Sequence, residues 1–331
     1  MQSSFLGFNS CTLLCEAGSR IGFGHLTRCS ALAETLEFLG VTVSRILQAN
    51  DFHPEGGWES LPWLENPTSV LQRVSGARVV VIDSYLAKPH HYQFFRENGL
   101  AVVAIDDFNR ISYPADLIIN PNVFMEQLDY SNQVAPVTGG KSFVILRKPF
   151  RELAHHKALP AIPKKLLVTL GGSDYRHVFP LIQSALTAFP DIEISAILPD
   201  CSQSTADFGS ITYLSKQSAS GMCEEMLNAD IVISACGQTL HELAALGKAT
   251  IGICLDIDQI PNRNYYLKEG FLNTQIDWDQ PDLGVALVEA VIALFPKESR
   301  MHKKQRGPSL IDVNGVTNFA SLIQQRFFHA V

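Results

Sequence analysis

The 331-residue chain has no Cys-x-x-Cys pair, no apolar run near the ~18 residues of a bilayer span, and no surplus of basic residues. Its 7 cysteines, an odd number at positions 11, 15, 29, 201, 223, 236 and 254, lie mostly in apolar runs. They read as reduced core residues of a cytoplasmic protein. With 26 Lys+Arg against 33 Asp+Glu the net charge is −7, which argues against a nucleic-acid or membrane-surface protein. An anionic ligand would therefore need a local positive site. The opening "MQSSFLGFNS" lacks the basic start of a signal peptide, and a soluble cytoplasmic location is expected. Low-complexity segments and short solenoid repeats are missing too. The histidine pairs at 90–91 and 155–156 have no carboxylate cluster beside them, so neither a metal site nor a cofactor is expected.

What is present is a rhythm. Apolar strand-like runs ("CTLLCEA", "VTVSRIL", "RVVVID", "LAVVAID", "DLIIN", and "SFVIL" at 142–146) alternate with helical patterns. This predicts a parallel sheet covered on both faces. The segment 147–165, with three prolines and many charges, breaks the rhythm, which restarts with "KLLVTLGGSD", "IEISAIL", "ITYLS", "ADIVISACG" and "KATIGICL". The expected architecture is two Rossmann-like domains, 1–150 and 151–315, facing across a cleft, with a last helix, 316–331, packing back across them.

Three strand-to-helix junctions bear glycine. In "SRIGFGHLTRCSALAETL" the helix runs from about His25 to Leu39, with apolar positions three and four apart and Gly40 closing it. Unpaired amides and the dipole at such a helix start attract anions, and Gly22 and Gly24 would let a ligand approach the backbone. A tight turn is the alternative, since this is neither G-x-G-x-x-G nor a Walker loop. Arg28 could supply the missing positive field or be a solvated charge. "LLVTLGGSDYRHVFPLIQSAL" repeats the device with Gly171, Gly172 and Ser173, and places Ser173 or Asp174 at a helix N-cap. In "ADIVISACGQTLHELAAL", Glu242 follows Gly237 by five residues, where a carboxylate could accept both hydroxyls of a ribose. An exposed helical glutamate is the alternative there. Asp106 and Asp107 end a strand on the ligand side, for a substrate contact or a loop role.

Taken in order, "IGFGHLTRC", "IDSY", "IDDFNR", "ADLIINPN", "FVILRKPF", "LGGSD", "CGQTLHE" and "DQ" resemble the PseG family. These are the UDP-2,4-diacetamido-2,4,6-trideoxy-β-L-altropyranose hydrolases of pseudaminic acid biosynthesis, with their spore-coat SpsG-like relatives. The resemblance runs from Cys11 to at least Gly270, and I-G-x-G-H-x-x-R-C is its most specific element.

The resemblance implies a GT-B fold similar to MurG, a UDP-sugar substrate bound mainly by the C-terminal half, and metal-free attack of water at the anomeric carbon. It assigns the catalytic histidine to His25 and a D-x-Y motif to Asp83 and Tyr85. Its nucleotide motif G-G-S-T-x-x-E falls on Cys236, Gly237, Gln238, Thr239 and Glu242. The chain departs from the family at Cys236, at Gln238, and at Asp258, which stands for the asparagine of an Asn-Gln pair completed by Gln259. Asp258 either meets a sugar hydroxyl or amino group, or caps the helix that follows. A histidine at a helix start tends to stay neutral and suits a general base. The same machinery serves an acceptor hydroxyl in place of water, as in a glycosyltransferase, and a non-catalytic nucleotide-sugar binder is a third reading. Oligomeric state is left open.

Overall fold

The strands form where the apolar runs are buried on both faces. The computed structural model describes residues 9–18, 21–49, 52–74, 76–152, 158–171, 174, 176–198 and 211–328. In chain order these hold β1 (Ser10–Ala17), α1 (Gly24–Phe38), β2 (Thr42–Ala49), β3 (Trp58–Ser60), α2 (Thr68–Arg73), β4 (Val79–Asp83), α3 (Pro89–Glu97), β5 (Ala101–Ile105), β6 (Leu117–Asn120) and β7 (Val137–Gly139). Then come β8 (Lys165–Thr169), α4 (Phe179–Leu186), β9 (Glu193–Ile197), β10 (Ile211–Leu214), α5 (Ala219–Asn228), β11 (Ile231–Ala235), α6 (Gln238–Ala245) and β12 (Thr250–Ile253). Four helices close the chain: α7 (Ile260–Lys268), α8 (Leu283–Ala293), α9 (Lys297–Ser309) and α10 (Gly315–Phe327). The chain divides into two compact units, Met1–Leu146 with Asn314–Val331, and Arg147–Val313.

The first unit is a parallel sheet in the order β3-β2-β1-β4-β5-β6-β7. Alternate residues of its central strands serve opposite faces. Cys11, Leu13, Val79 and Val81 pack under α1 and α10, while Leu14, Val80 and Ile82 meet Val70, Tyr92 and Phe95 of α2 and α3. Such two-sided burial is why these strands read as continuous apolar runs. Helix α1 buries Cys29, Leu32, Ala33 and Leu36, and ends before Gly40, whose φ is 82°. Helix α10 lays Val316, Phe319, Ala320 and Ile323 into the same cluster. A Cβ on Gly315 would sit 2.2 Å from the Val144 carbonyl oxygen, so α10 begins in direct contact with the backbone.

The strand expected at 142–146 is absent. Lys141–Phe143 is a 3₁₀ turn, and the edge strand is instead Val137–Gly139, paired with β6. Val144, Ile145 and Leu146 are buried all the same. Their apolar run reports burial without ladder pairing.

The second unit is a parallel sheet in the order β10-β9-β8-β11-β12. Leu166, Val168, Ile231 and Ile233 share a core with Ile182 and Leu186 of α4 and Leu287 and Val291 of α8. In each sheet the strand order reverses once beside the first strand, at β1/β4 and at β8/β11. Crevices at the carboxyl ends of strands next to such switch points are where open α/β sheets hold ligands. Among the described residues no helix is long and apolar enough to cross a membrane.

Candidate functional site

At the β1/β4 switch point the first unit gathers residues from four strand ends. His25, second residue of α1, directs Nδ1 to Asp83 Oδ1 at 2.8 Å. Asp83 closes β4 and is fully buried. Arg28, one helical turn after His25, donates Nε to Asp83 Oδ2 at 2.6 Å, and Nη1 and Nη2 to Asp107 Oδ1 and Oδ2 at 2.8 and 2.9 Å. Asp107 also accepts the Tyr85 hydroxyl at 2.6 Å and Asn122 Nδ2 at 2.6 Å. The Tyr85 ring stands edge-on to the His25 ring, with centroids 4.5 Å apart. One cation thus binds two carboxylates, one holding His25 and the other Tyr85.

Burial alone would raise both carboxyls. The Arg28 guanidinium, hydrogen-bonded to each, overrides it and holds Asp83 and Asp107 below the ordinary carboxylate range. Since an ionised carboxylate only accepts, the proton of a neutral His25 sits on Nδ1 and the lone pair on Nε2. Arg28 is 8% exposed with its guanidinium spent on the two aspartates. Neither of the roles expected of it, free positive field or solvated surface charge, is what the structure places there.

The loop after β4 is tied down by Glu16, buried at the end of β1. Its carboxylate accepts the amides of Tyr85 and Leu86, and the Ser84 hydroxyl. Asp106, next to Asp107, serves its own loop, accepting from Asn109 and Arg110 amides and from the Tyr113 and Tyr130 hydroxyls. Gly22 has φ 86°, which its turn requires, whereas Gly24 has an ordinary φ and open space around it. No side chain caps α1.

In the second unit, Gly171 (φ 86°) follows β8. Gly172 and Ser173 lie outside the described residues. The helix expected to start there begins only at Phe179, with Val178 at its N-cap, so Asp174 is not its N-cap. Its carboxylate instead accepts the amides of Val178 and Phe179 at 2.9 Å each, so two amides at that helix start are already taken.

Beside it, Gly237 is the N-cap of α6, without a capping side chain, and Gln238 and Thr239 form the first turn, both half-buried. Cys236 is buried, its thiol pushed up by burial. Gln259 Oε1 accepts the amides of Cys236 and Leu255, both at 3.1 Å, which pins the loop after β11 to the loop after β12. Asp258 is exposed and is not the N-cap of α7: Gln259 stands at that position, and Asp256 caps the short 3₁₀ turn Ile257–Gln259 before it, accepting from the Ile257 amide. Glu242 is 1% exposed, so it is not a surface helical charge. Nor are its oxygens open to a ribose, because Arg147 Nε and Nη2 occupy them at 2.6 and 2.7 Å.

The structure therefore brings His25, Asp83, Tyr85 and Arg28 together in one unit, and Cys236, Gly237, Gln238, Thr239 and Gln259 around one helix start in the other. Sequence reasoning missed Glu16, Asn122 and Arg147. The signal available was position: a charged or amide residue closing or following an apolar strand. Among the described residues there is no cluster of three or more metal-ligating side chains.

No protein-family model matches the chain. Over 234 residues, 70% of its length, the chain is 22% identical to a Helicobacter pylori protein named pseudaminic acid cytidylyltransferase and UDP-2,4-diacetamido-2,4,6-trideoxy-β-L-altropyranose hydrolase. The match covers 42% of that protein, so the chain spans less than half the length of the curated relative it matches. Among solved structures, Acinetobacter baumannii MurG superposes with a TM-score of 0.65 at 15% identity, covering 96% of this chain and 99% of that one. The S. aureus MnaA–UDP structure gives 0.65 at 11% identity, covering 96% of each chain. The UDP-GlcNAc 2-epimerase of Neisseria meningitidis bound to UDP-GlcNAc gives 0.61 at 12% identity, covering 96% and 100%. The fold is GT-B, with two parallel-sheet α/β domains.

Proposed function

We propose that the chain is a nucleotide-sugar hydrolase of glycan biosynthesis, releasing UDP from an acetamido- or amino-deoxy sugar. The observation that carries this reading is the His25–Asp83 hydrogen bond at the carboxyl end of β4. A buried carboxylate behind Nδ1 orients the imidazole and stabilises the imidazolium formed when Nε2 takes a proton, the arrangement general-base catalysis needs.

In the proposed reaction a water oxygen attacks C1 as the C1–O bond to the diphosphate breaks. His25 Nε2 accepts the water proton, UDP leaves with the bonding pair, and the sugar is released with inversion. The diphosphate leaves as an anion and needs charge stabilisation rather than a proton. We assign that role to the start of α6 at Gly237, Gln238 and Thr239, and to the glycine-bearing stretch Gly171, Gly172 and Ser173. Glu242 serves the ribose once Arg147 yields one of its two bonds. The H. pylori relative, whose name includes this hydrolase activity, supports the reading.

The test is product analysis with UDP-, CMP- and GDP-sugars, with and without acceptor. Free sugar released from a UDP-sugar without acceptor is the expected result. Turnover only with an acceptor makes the chain a transferase, and binding without turnover of any donor makes it a non-catalytic binder.

A further inference from the structure

Tyr85 and Asp107 share a hydrogen bond whose direction is settled by the surroundings of Asp107. Its Oδ1 takes Arg28 Nη1 and Asn122 Nδ2, and its Oδ2 takes Arg28 Nη2 and the Tyr85 hydroxyl. All four partners are donors, so Asp107 is an acceptor at every contact. The Tyr85 hydroxyl has a single proton, and that proton is spent on Asp107. Any further partner of the Tyr85 oxygen must be a donor. The ring stands against His25, and the residue keeps 36% of its surface exposed, at the mouth of the cluster.

We propose that Asp107 is a positioning residue that fixes Tyr85 as a hydrogen-bond acceptor beside His25, so that Tyr85 selects ligands presenting an N–H or O–H group there, such as an acetamido or hydroxyl substituent of the sugar. This rests on the reading of the His25 cluster as a sugar site. It also removes Tyr85 from the role of proton donor to the leaving group.

Asp107→Asn tests the polarity at constant shape. An amide NH₂ in place of Oδ1 would face two donors, Arg28 Nη1 and Asn122. In place of Oδ2 it faces only Arg28 Nη2 and the Tyr85 hydroxyl, which can rotate. The amide therefore settles toward Tyr85, donates to it, and turns the tyrosine proton outward.

The expected result is a fall in kcat/KM of about 10- to 100-fold on the acetamido-sugar donor, the range for reversing one hydrogen bond to a buried polar partner. UDP binding in the second unit stays within about threefold. Tyr85→Phe should fall similarly, and the double variant should lose no more than the worse single. Losses that multiply, or a folded Asp107→Asn with wild-type kcat/KM, would overturn the proposal. If Asp107→Asn does not fold, Tyr85→Phe decides alone, since it leaves the Arg28 pairs in place: wild-type kcat/KM overturns the proposal and the expected fall supports it. A readout without turnover separates this idea from the hydrolase reading. With [ζ-¹³C]tyrosine, the line removed by Tyr85→Phe should shift in Asp107→Asn while the other tyrosine lines stay. An unmoved line in a folded variant sinks the proposal even if the wild type is a hydrolase, and a shifted line supports it even if the wild type turns over no donor tried.

Discussion

Arg147, the first residue of the second unit, holds both carboxylate oxygens of Glu242, 95 residues away, in a two-pronged pair at 2.6 and 2.7 Å. Burial pushes the Glu242 carboxyl up and Arg147 opposes it. Removing the cation strands a charge with 1% exposure. Arg147→Met should therefore cost about 2–3 kcal/mol, below the full cost of breaking a buried pair because 23% of the Arg147 side chain is exposed. Urea unfolding reads the loss, and the double variant Arg147→Met/Glu242→Gln should recover most of it.

The same carboxylate is proposed to meet the ribose. Glu242→Gln should weaken UDP binding by ~1.5–3 kcal/mol, the usual worth of hydrogen bonds to a charged group, and weaken deoxyuridine diphosphate binding less. Equal losses in calorimetry would place Glu242 away from the ribose.

His25→Asn removes the proposed base and keeps a polar side chain of moderate size. Turnover should fall ~10²–10⁴-fold with UDP affinity nearly intact. Near-normal turnover would take His25 out of the mechanism.

Acid should undo the Arg28 cluster. Asp83 and Asp107 are held below their ordinary value of 3.8 in the folded protein. Groups depressed on folding contribute stability that is complete above the unfolded value and is lost as pH falls through the folded one. Urea midpoints should thus hold near pH 6 and decline below about pH 4. Asp107→Asn, less stable at pH 6, should lose less on going to pH 3, and an equal decline in both would contradict the assignment.

The two glycines ahead of His25 should separate. Gly22→Ala imposes φ 86° on an L side chain and should cost about 1–2 kcal/mol, while Gly24→Ala, with no such strain and nothing within 4 Å, should stay within about 0.5 kcal/mol. If Gly24→Ala nonetheless weakens sugar binding, a ligand approaches the backbone there.

Both sheets were legible because parallel strands buried on two faces, such as Val79–Asp83, write themselves as unbroken apolar runs. The glycine junctions were legible because few other residues adopt the backbone of Gly22 or Gly171. Pairings across long stretches of chain were not. Nothing local to Arg28 says that its guanidinium is taken by Asp83, 55 residues on, or by Asp107, 79 residues on. Asp174 and Asp258 misled for a related reason: aspartate favours caps, but which neighbouring turn it caps depends on where the helix starts in three dimensions. Asp256, two residues before Asp258, caps the short 3₁₀ turn Ile257–Gln259, and Gln259 stands at the N-cap of α7.

Helix α10 gives the first unit an order of completion opposite to its order of synthesis. Val316, Phe319, Ala320 and Ile323 are part of the same apolar cluster as Leu13, Val81 and Leu32, yet the whole of Arg147–Val313 is translated between them. While the ribosome makes the second unit, the face of the first sheet that bears α1 waits with its last covering element still unmade. The unit begun first is the one finished last, and a chain released before residue 315 would carry an open apolar seam along α1, the helix that presents His25.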